Sequence, residues 1–148
     1  MRRLIAPSIL SFDLLGLAET VPNLIDAGAD IIHLDVMDGR FVPPITFGDN
    51  LARSLRARTD AFLEVHLMTE APEDQFEAFA EAGCERILFH LEATHHAHRH
   101  VQTLRKLGVS PGVVLDYNEA NQVVGIEMLH LSRRSPQFNF QKLQFQTA

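Results

Sequence analysis

Gly28-Ala29-Asp30-Ile31-Ile32-His33-Leu34-Asp35-Val36-Met37-Asp38-Gly39-Arg40-Phe41-Val42-Pro43 is the stretch on which the reading of this chain turns. From Ile31 to Val36 it is β-branched and apolar enough for a strand, and it follows an Ala27-Gly28 pair of the kind that ends a helix. Successive side chains of a strand alternate between its faces. Ile32, Leu34 and Val36 therefore point one way, and His33, Asp35 and Met37 the other. A histidine and a carboxylate are presented together near the C-terminal end of the strand, which is where parallel βα folds assemble their sites.

Outward from this stretch the same unit recurs. Upstream, the sequence predicts a strand over Leu4 to Leu10 and a helix over Leu15 to Ala27. Downstream it predicts strands at Phe62 to Leu67, Arg86 to His90 and Gly112 to Leu115, with helices at Asn50 to Arg56, Pro72 to Ala82 and His96 to Leu107. Ala82-Gly83 and Leu107-Gly108 repeat the punctuation of Ala27-Gly28. Strands alternating with helical periods are the pattern of βα units around a parallel sheet. Residues 1–115 are expected to hold about four to five such units. The character then changes, since residues 116–148 carry five of the chain's seven glutamines and continue no βα alternation. That segment is expected to be divergent and poorly ordered.

Composition excludes several functions. The chain has 148 residues, 46% of them hydrophobic, enough for one domain with a core of its own. A formal charge of -6, with no basic run interleaved by aromatics, argues against nucleic acid or an anionic membrane as a partner. Pro7, Ser8, Ser11 and Asp13 interrupt the first apolar run, as they would not in an export signal, and no stretch reaches the roughly 18 apolar residues of a membrane helix. A cytoplasmic setting is expected. Cys84 is the single cysteine, so no internal disulfide is possible.

The strand at Phe62 repeats the device of the first stretch. Glu64-Val65-His66-Leu67-Met68 places a second histidine near a strand end, again with methionine two residues on. A strand-end histidine by itself is more often bonded to backbone than to a ligand. His33, Asp35 and His66 taken together form a donor set suited to a divalent metal. Ser8, at the end of the first predicted strand, can turn a hydroxyl inward or cap the following turn. Met37 and Met68 read either as core or as a soft lining beside a metal. His90 and Glu92 are second-tier candidates at the next strand end. His95, His96, His98 and His100 read as a solvated helix start.

Four motifs in this order carry a resemblance. Ile5-Ala6-Pro7-Ser8-Ile9-Leu10-Ser11, His33 to Pro43, Ile45-Thr46-Phe47-Gly48 and Val65-His66-Leu67-Met68 resemble successive signatures of the ribulose-phosphate 3-epimerase family, in register over about residues 3 to 115. The resemblance implies a TIM (β/α)8-barrel fold, here incomplete, and interconversion of D-ribulose 5-phosphate and D-xylulose 5-phosphate by proton removal and return at C3. It implies Asp35 as a catalytic acid/base carboxylate, and His33, Asp35 and His66 as ligands of a Zn, Fe, Mn or Co cation. It further implies that Ser8, His66, Met37 and Met68 contact a sugar phosphate. An epimerase acting on a six-carbon ketose phosphate, and a non-catalytic half-barrel that binds metal or a partner, are the alternatives.

The resemblance stops after Leu115. Asp116-Tyr117-Asn118-Glu119 stands where relatives usually continue with Asn-Pro, and nothing later matches the family's second catalytic aspartate or its phosphate-binding loops. Asp116, Glu119 and Glu127 are the acidic residues of this segment. A complete barrel takes about 250 residues. An open parallel sheet exposes its edges, so a homo-oligomer is expected.

Overall fold

A computed structural model describes residues 4–114 and 127–128. Four strands, β1 (Ile31–Met37), β2 (Phe62–Met68), β3 (Arg86–His90) and β4 (Ser110–Val114), lie side by side in chain order and all run parallel. Helices α1 (Leu17–Asp26), α2 (Asp49–Arg56), α3 (Phe76–Glu81) and α4 (Ala97–Lys106) alternate with them, α1 preceding β1. These are the βα units around a parallel sheet expected from the alternation, consistent with the incomplete barrel that the resemblance implies. A short β5 (Glu127–Met128) pairs antiparallel with β4. The remainder of residues 116–148, including the expected disorder there and Asp116 and Glu119, lies outside the described residues, as does the side chain of Glu127.

Three helices end by one device. After α1, α3 and α4, Gly28, Gly83 and Gly108 adopt φ of 100°, 89° and 78°. The next residue in each case donates its N–H back across the last turn: Ala29 to Leu24, Cys84 to Phe79, and Val109 to Leu104. Only glycine takes that left-handed conformation without a steric cost, and the turn aims the chain into the following strand.

Strand alternation sorts the residues into two layers. Ile32, Leu34 and Val36 of β1 are buried, with Leu63, Val65 and Leu67 of β2, Ile87 and Phe89 of β3, and Val113 of β4. They pack with Leu17, Val21, Ala52, Leu55, Phe76, Phe79, Val101 and Leu104 of the helices, and this is the main core. The opposite face of the sheet carries the polar strand residues. In register across it, His33 stands beside Glu64, Glu64 beside Arg86, and Asp35 beside His66. Cys84 is buried, and burial pushes its thiol pKa up to about 12, which removes it as a nucleophile.

Two expectations are corrected. No strand forms over Leu4 to Leu10. Backbone bonds from Ile31 to the Ile5 carbonyl and from His33 to the Pro7 carbonyl lay the segment along β1, but only one bridge results, Ser8 with His33. Pro7 has no N–H to donate, and Ile9–Ser11 coils at once into a 3-10 turn. His100 is not solvated; it is 5% exposed, edge-on to the rings of Phe76 and Phe89. Burial lowers its pKa, so the ring serves as core.

At the N-terminal ends of the strands Arg56 joins three elements. Its guanidinium donates to the carbonyls of Thr59, Ala61 and Gly83 and to both oxygens of Glu85, whose carboxylate also accepts the Leu63 N–H. Arg56→Met keeps the aliphatic stem and strands these half-buried acceptors. It is expected to lower stability by about 2 kcal/mol in a urea titration, the range for hydrogen bonds to a charged group. Being at the end of the sheet away from Asp35, it should leave the strand ends that carry Asp35 and His66 unchanged.

Candidate functional site

The polar face of the sheet gathers its side chains where β1 and β2 end. Asp35 Oδ1 lies 3.1 Å from His33 Nε2 and 3.0 Å from His66 Nδ1, while Oδ2 accepts a 2.5 Å hydrogen bond from Ser8 Oγ. The same Ser8 oxygen accepts the Leu10 N–H, so the 3-10 turn that replaced the expected strand is what aims the hydroxyl at Asp35. His33 and Asp35 arrive from β1 and His66 from β2, while Ser8 arrives from the N-cap of the 3-10 turn. Met37 and Met68 stand opposite each other in the next register step, on the same face.

One ligand atom from each of His33, Asp35 and His66 falls within 4.8 Å of the others, the single such grouping among the described residues. Two imidazoles and a carboxylate make a borderline donor set that fits Zn²⁺, Fe²⁺, Mn²⁺ or Co²⁺. The three side chains are 16–17% exposed, so the cluster is sheltered yet reachable from solvent.

The electrostatics follow from those contacts. Burial by itself would lower the His33 pKa, but the bonds to Asp35 and Glu64 outweigh it and raise the value to about 9. Burial would raise that of Asp35, yet hydrogen bonds from His33, His66 and Ser8 hold it far below the usual carboxylate range. Asp35 is therefore ionised at any physiological pH. The carboxylate of Asp35 and the charged form of His33 thus stabilise each other.

The loop after β1 locks this geometry. Thr46 Oγ1 donates to the Asp35 carbonyl at 2.8 Å and accepts the Met37 N–H at 3.0 Å. Asp38 accepts the N–H groups of Arg40 and Phe41, and its other oxygen that of Glu70 in the loop after β2. The loop that begins at Asp38 thus ties the two strand ends together.

His90, placed second in the sequence reading, stacks on His66 with Nε2 to Nε2 at 2.7 Å, one imidazole donating and the other accepting. Its ring also lies 4.9 Å from that of Phe41. Glu92 approaches His90 Nδ1 only to 3.8 Å. Two neighbours were missed. Glu64 Oε1 lies 2.8 Å from His33 Nδ1, and Glu64 Oε2 accepts from the buried Arg86 at 2.5 Å. Alternation along β2 puts Glu64 on the face of His66, so the signal was present. Its pairing with His33, however, depends on register between strands.

Comparison with known proteins bears on this arrangement. The sequence profile of the Ribulose-phosphate 3 epimerase family matches residues 4–131. The chain is 41% identical over 143 residues to the ribulose-phosphate 3-epimerase of Bacillus subtilis (strain 168), covering 93% of this chain and 66% of that one. It is 47% identical over 114 residues to that of Synechocystis sp. (76% and 50% covered) and 46% identical over 110 residues to that of Chlamydia muridarum (74% and 48%). The chain thus spans about half to two thirds of the length of these curated relatives. With the profile running from the Ser8 segment past β4, this chain belongs to the ribulose-phosphate 3-epimerase family.

Proposed function

We propose that this chain acts in the interconversion of D-ribulose 5-phosphate and D-xylulose 5-phosphate, with Asp35 as the acid/base group on one face of C3. The observation that carries the reading is the convergence of Ser8, His33 and His66 on one ionised carboxylate. A proton next to a ketone is weakly acidic, so its removal needs a positioned base and relief of the charge left on the substrate oxygens. The carboxylate of Asp35 takes the C3 proton, the C–H bond's electron pair becomes the C2–C3 double bond, and the C2 carbonyl's π pair moves onto its oxygen to give an enediolate. Return of a proton to the opposite face inverts C3.

His33, Asp35 and His66 are the residues that would hold a divalent cation. When bound, such a cation supplies positive charge against the developing enediolate. Ser8 fixes one carboxylate oxygen and Thr46 the backbone beneath it, which keeps Asp35 in one orientation. Met37 and Met68 give the pocket a soft, apolar wall.

Inversion requires a group on the second face. Among the described residues no second carboxylate shares the His33–Asp35–His66 grouping. The test separates the two half-reactions. D-Ribulose 5-phosphate is incubated in deuterium oxide with the full chain and Zn²⁺, Fe²⁺, Mn²⁺ or Co²⁺. Deuterium is expected at C3, and any xylulose 5-phosphate formed measures the second face. A chain that binds metal but exchanges no C3 proton would be a metal-binding half-barrel instead. Allulose 6-phosphate in parallel asks whether a six-carbon sugar is preferred.

A cytosolic setting and self-association belong to the same proposal. No helix among the described residues is long and apolar enough to cross a membrane. Leu4, Ile5, Leu14 and Leu15 are exposed along the N-terminal segment, where apolar surface favours a second copy.

A further inference from the structure

His33 has two ring nitrogens, and the fold has committed one of them. Its Nε2 faces Asp35 at 3.1 Å, while Nδ1 meets Glu64 Oε1 at 2.8 Å from the neighbouring strand. Glu64 is only 5% exposed and its other oxygen takes a 2.5 Å hydrogen bond from Arg86 on the third strand in line, itself 6% exposed. The Arg86 guanidinium carbon in turn sits 4.9 Å over the ring of Phe62. A carboxylate buried to this degree is costly unless it is paired and bonded at both oxygens, and here it is. The register that places His33 beside Glu64 and Glu64 beside Arg86 makes one continuous row across three strands.

We propose that Glu64, held by Arg86, is a positioning residue for the metal site: it accepts the His33 Nδ1–H, and so leaves His33 Nε2 as the nitrogen offered beside Asp35. The inference rests on the metal reading given above and deepens it. A carboxylate behind a ligating imidazole fixes the ring's tautomer and orientation and raises its basicity as a ligand. Arg86 bonds the Glu64 oxygen that does not face His33. Its part is to hold the Glu64 carboxylate in place, so that Glu64 accepts the His33 proton rather than competing for the cation. Row geometry also explains why an acid and a base are buried one step below the cluster, where an apolar pair would pack as well.

The experiment uses the full chain with Co²⁺ or Zn²⁺ alone as probe. A change at Glu64 alone removes the charge that faces the buried Arg86, so the informative variant is Glu64→Leu combined with Arg86→Met, which replaces the ion pair by apolar side chains and is commonly tolerated. Circular dichroism checks that it is folded. Co²⁺ affinity is expected to fall by about 10–100-fold in the double variant, the usual loss when an outer-shell partner is removed. In ¹⁵N-histidine spectra of the unmodified chain with Zn²⁺, the proton of His33 is expected on Nδ1 and the metal on Nε2, and the variant should lose that protected Nδ1 proton. A folded double variant with Co²⁺ affinity within twofold of the unmodified chain would overturn the inference. So would a Zn²⁺-bound His33 protonated at Nε2 in the unmodified chain, whatever the variant does. If the unmodified chain takes up no Co²⁺ or Zn²⁺ at all, the metal reading fails and this inference fails with it.

Discussion

Asp35→Asn should reduce exchange of the C3 proton by about 10²–10⁴-fold, the contribution typical of a positioned acid/base group, while leaving the chain folded. The two side chains have the same shape, so the change tests charge and basicity rather than packing. A carboxamide keeps one acceptor oxygen for an imidazole or for Ser8, and its NH₂ cannot take a proton from carbon. His33 retains its bond to Glu64, and Thr46 retains its bonds to the backbone at residues 35 and 37, so the strand end stays as it is. On the proposed reading the substitution also removes a negative ligand, and metal affinity is expected to fall. Exchange must therefore be measured at metal concentrations shown to saturate the variant. Under those conditions a rate within a few-fold of the unmodified chain would exclude Asp35 as the base, because no weaker role for it predicts so small an effect.

The histidine and carboxylate that converge on that site were readable because the rule needed was local. Alternation along one strand puts His33, Asp35 and Met37 on one face, and the structure keeps them there. The same rule worked for His66 and Met68 on β2. It could not reveal that Glu64 stands opposite His33, or Arg86 opposite Glu64, since relative register between strands comes from how the helices pack on the far face. The first segment failed for another reason. Its apolar composition suits a strand, but Pro7 cannot donate to a ladder, and the turn that follows is what delivers Ser8 to Asp35. Near α4, a local run of histidines suggested solvent, whereas burial of His100 is decided by Phe76 and Phe89 from two other elements.

Those two phenylalanines carry the second large effect. Phe76 is fully buried at the start of α3, its ring 5.8 Å from that of Phe89 on β3 and 5.4 Å from His100 on α4. It therefore connects one helix to the next strand and the next helix. Phe76→Ala removes the ring and leaves a cavity that these neighbours cannot close without moving the backbone, at a cost of about 3–5 kcal/mol. Small domains have only about 5–15 kcal/mol of stability in all, so the variant should show a much lower urea midpoint, with part of the population unfolded at 37 °C. Phe76→Leu fills most of the space and should fall well short of that loss. His33, Asp35 and His66 lie on the other face of the sheet, so the fraction of Phe76→Leu that is folded should bind Co²⁺ with unchanged affinity. Equal stability for Phe76→Ala and the unmodified chain would mean that α3 is not packed on the sheet as described. Weakened metal binding by folded Phe76→Leu would mean instead that the two faces of the sheet are not independent.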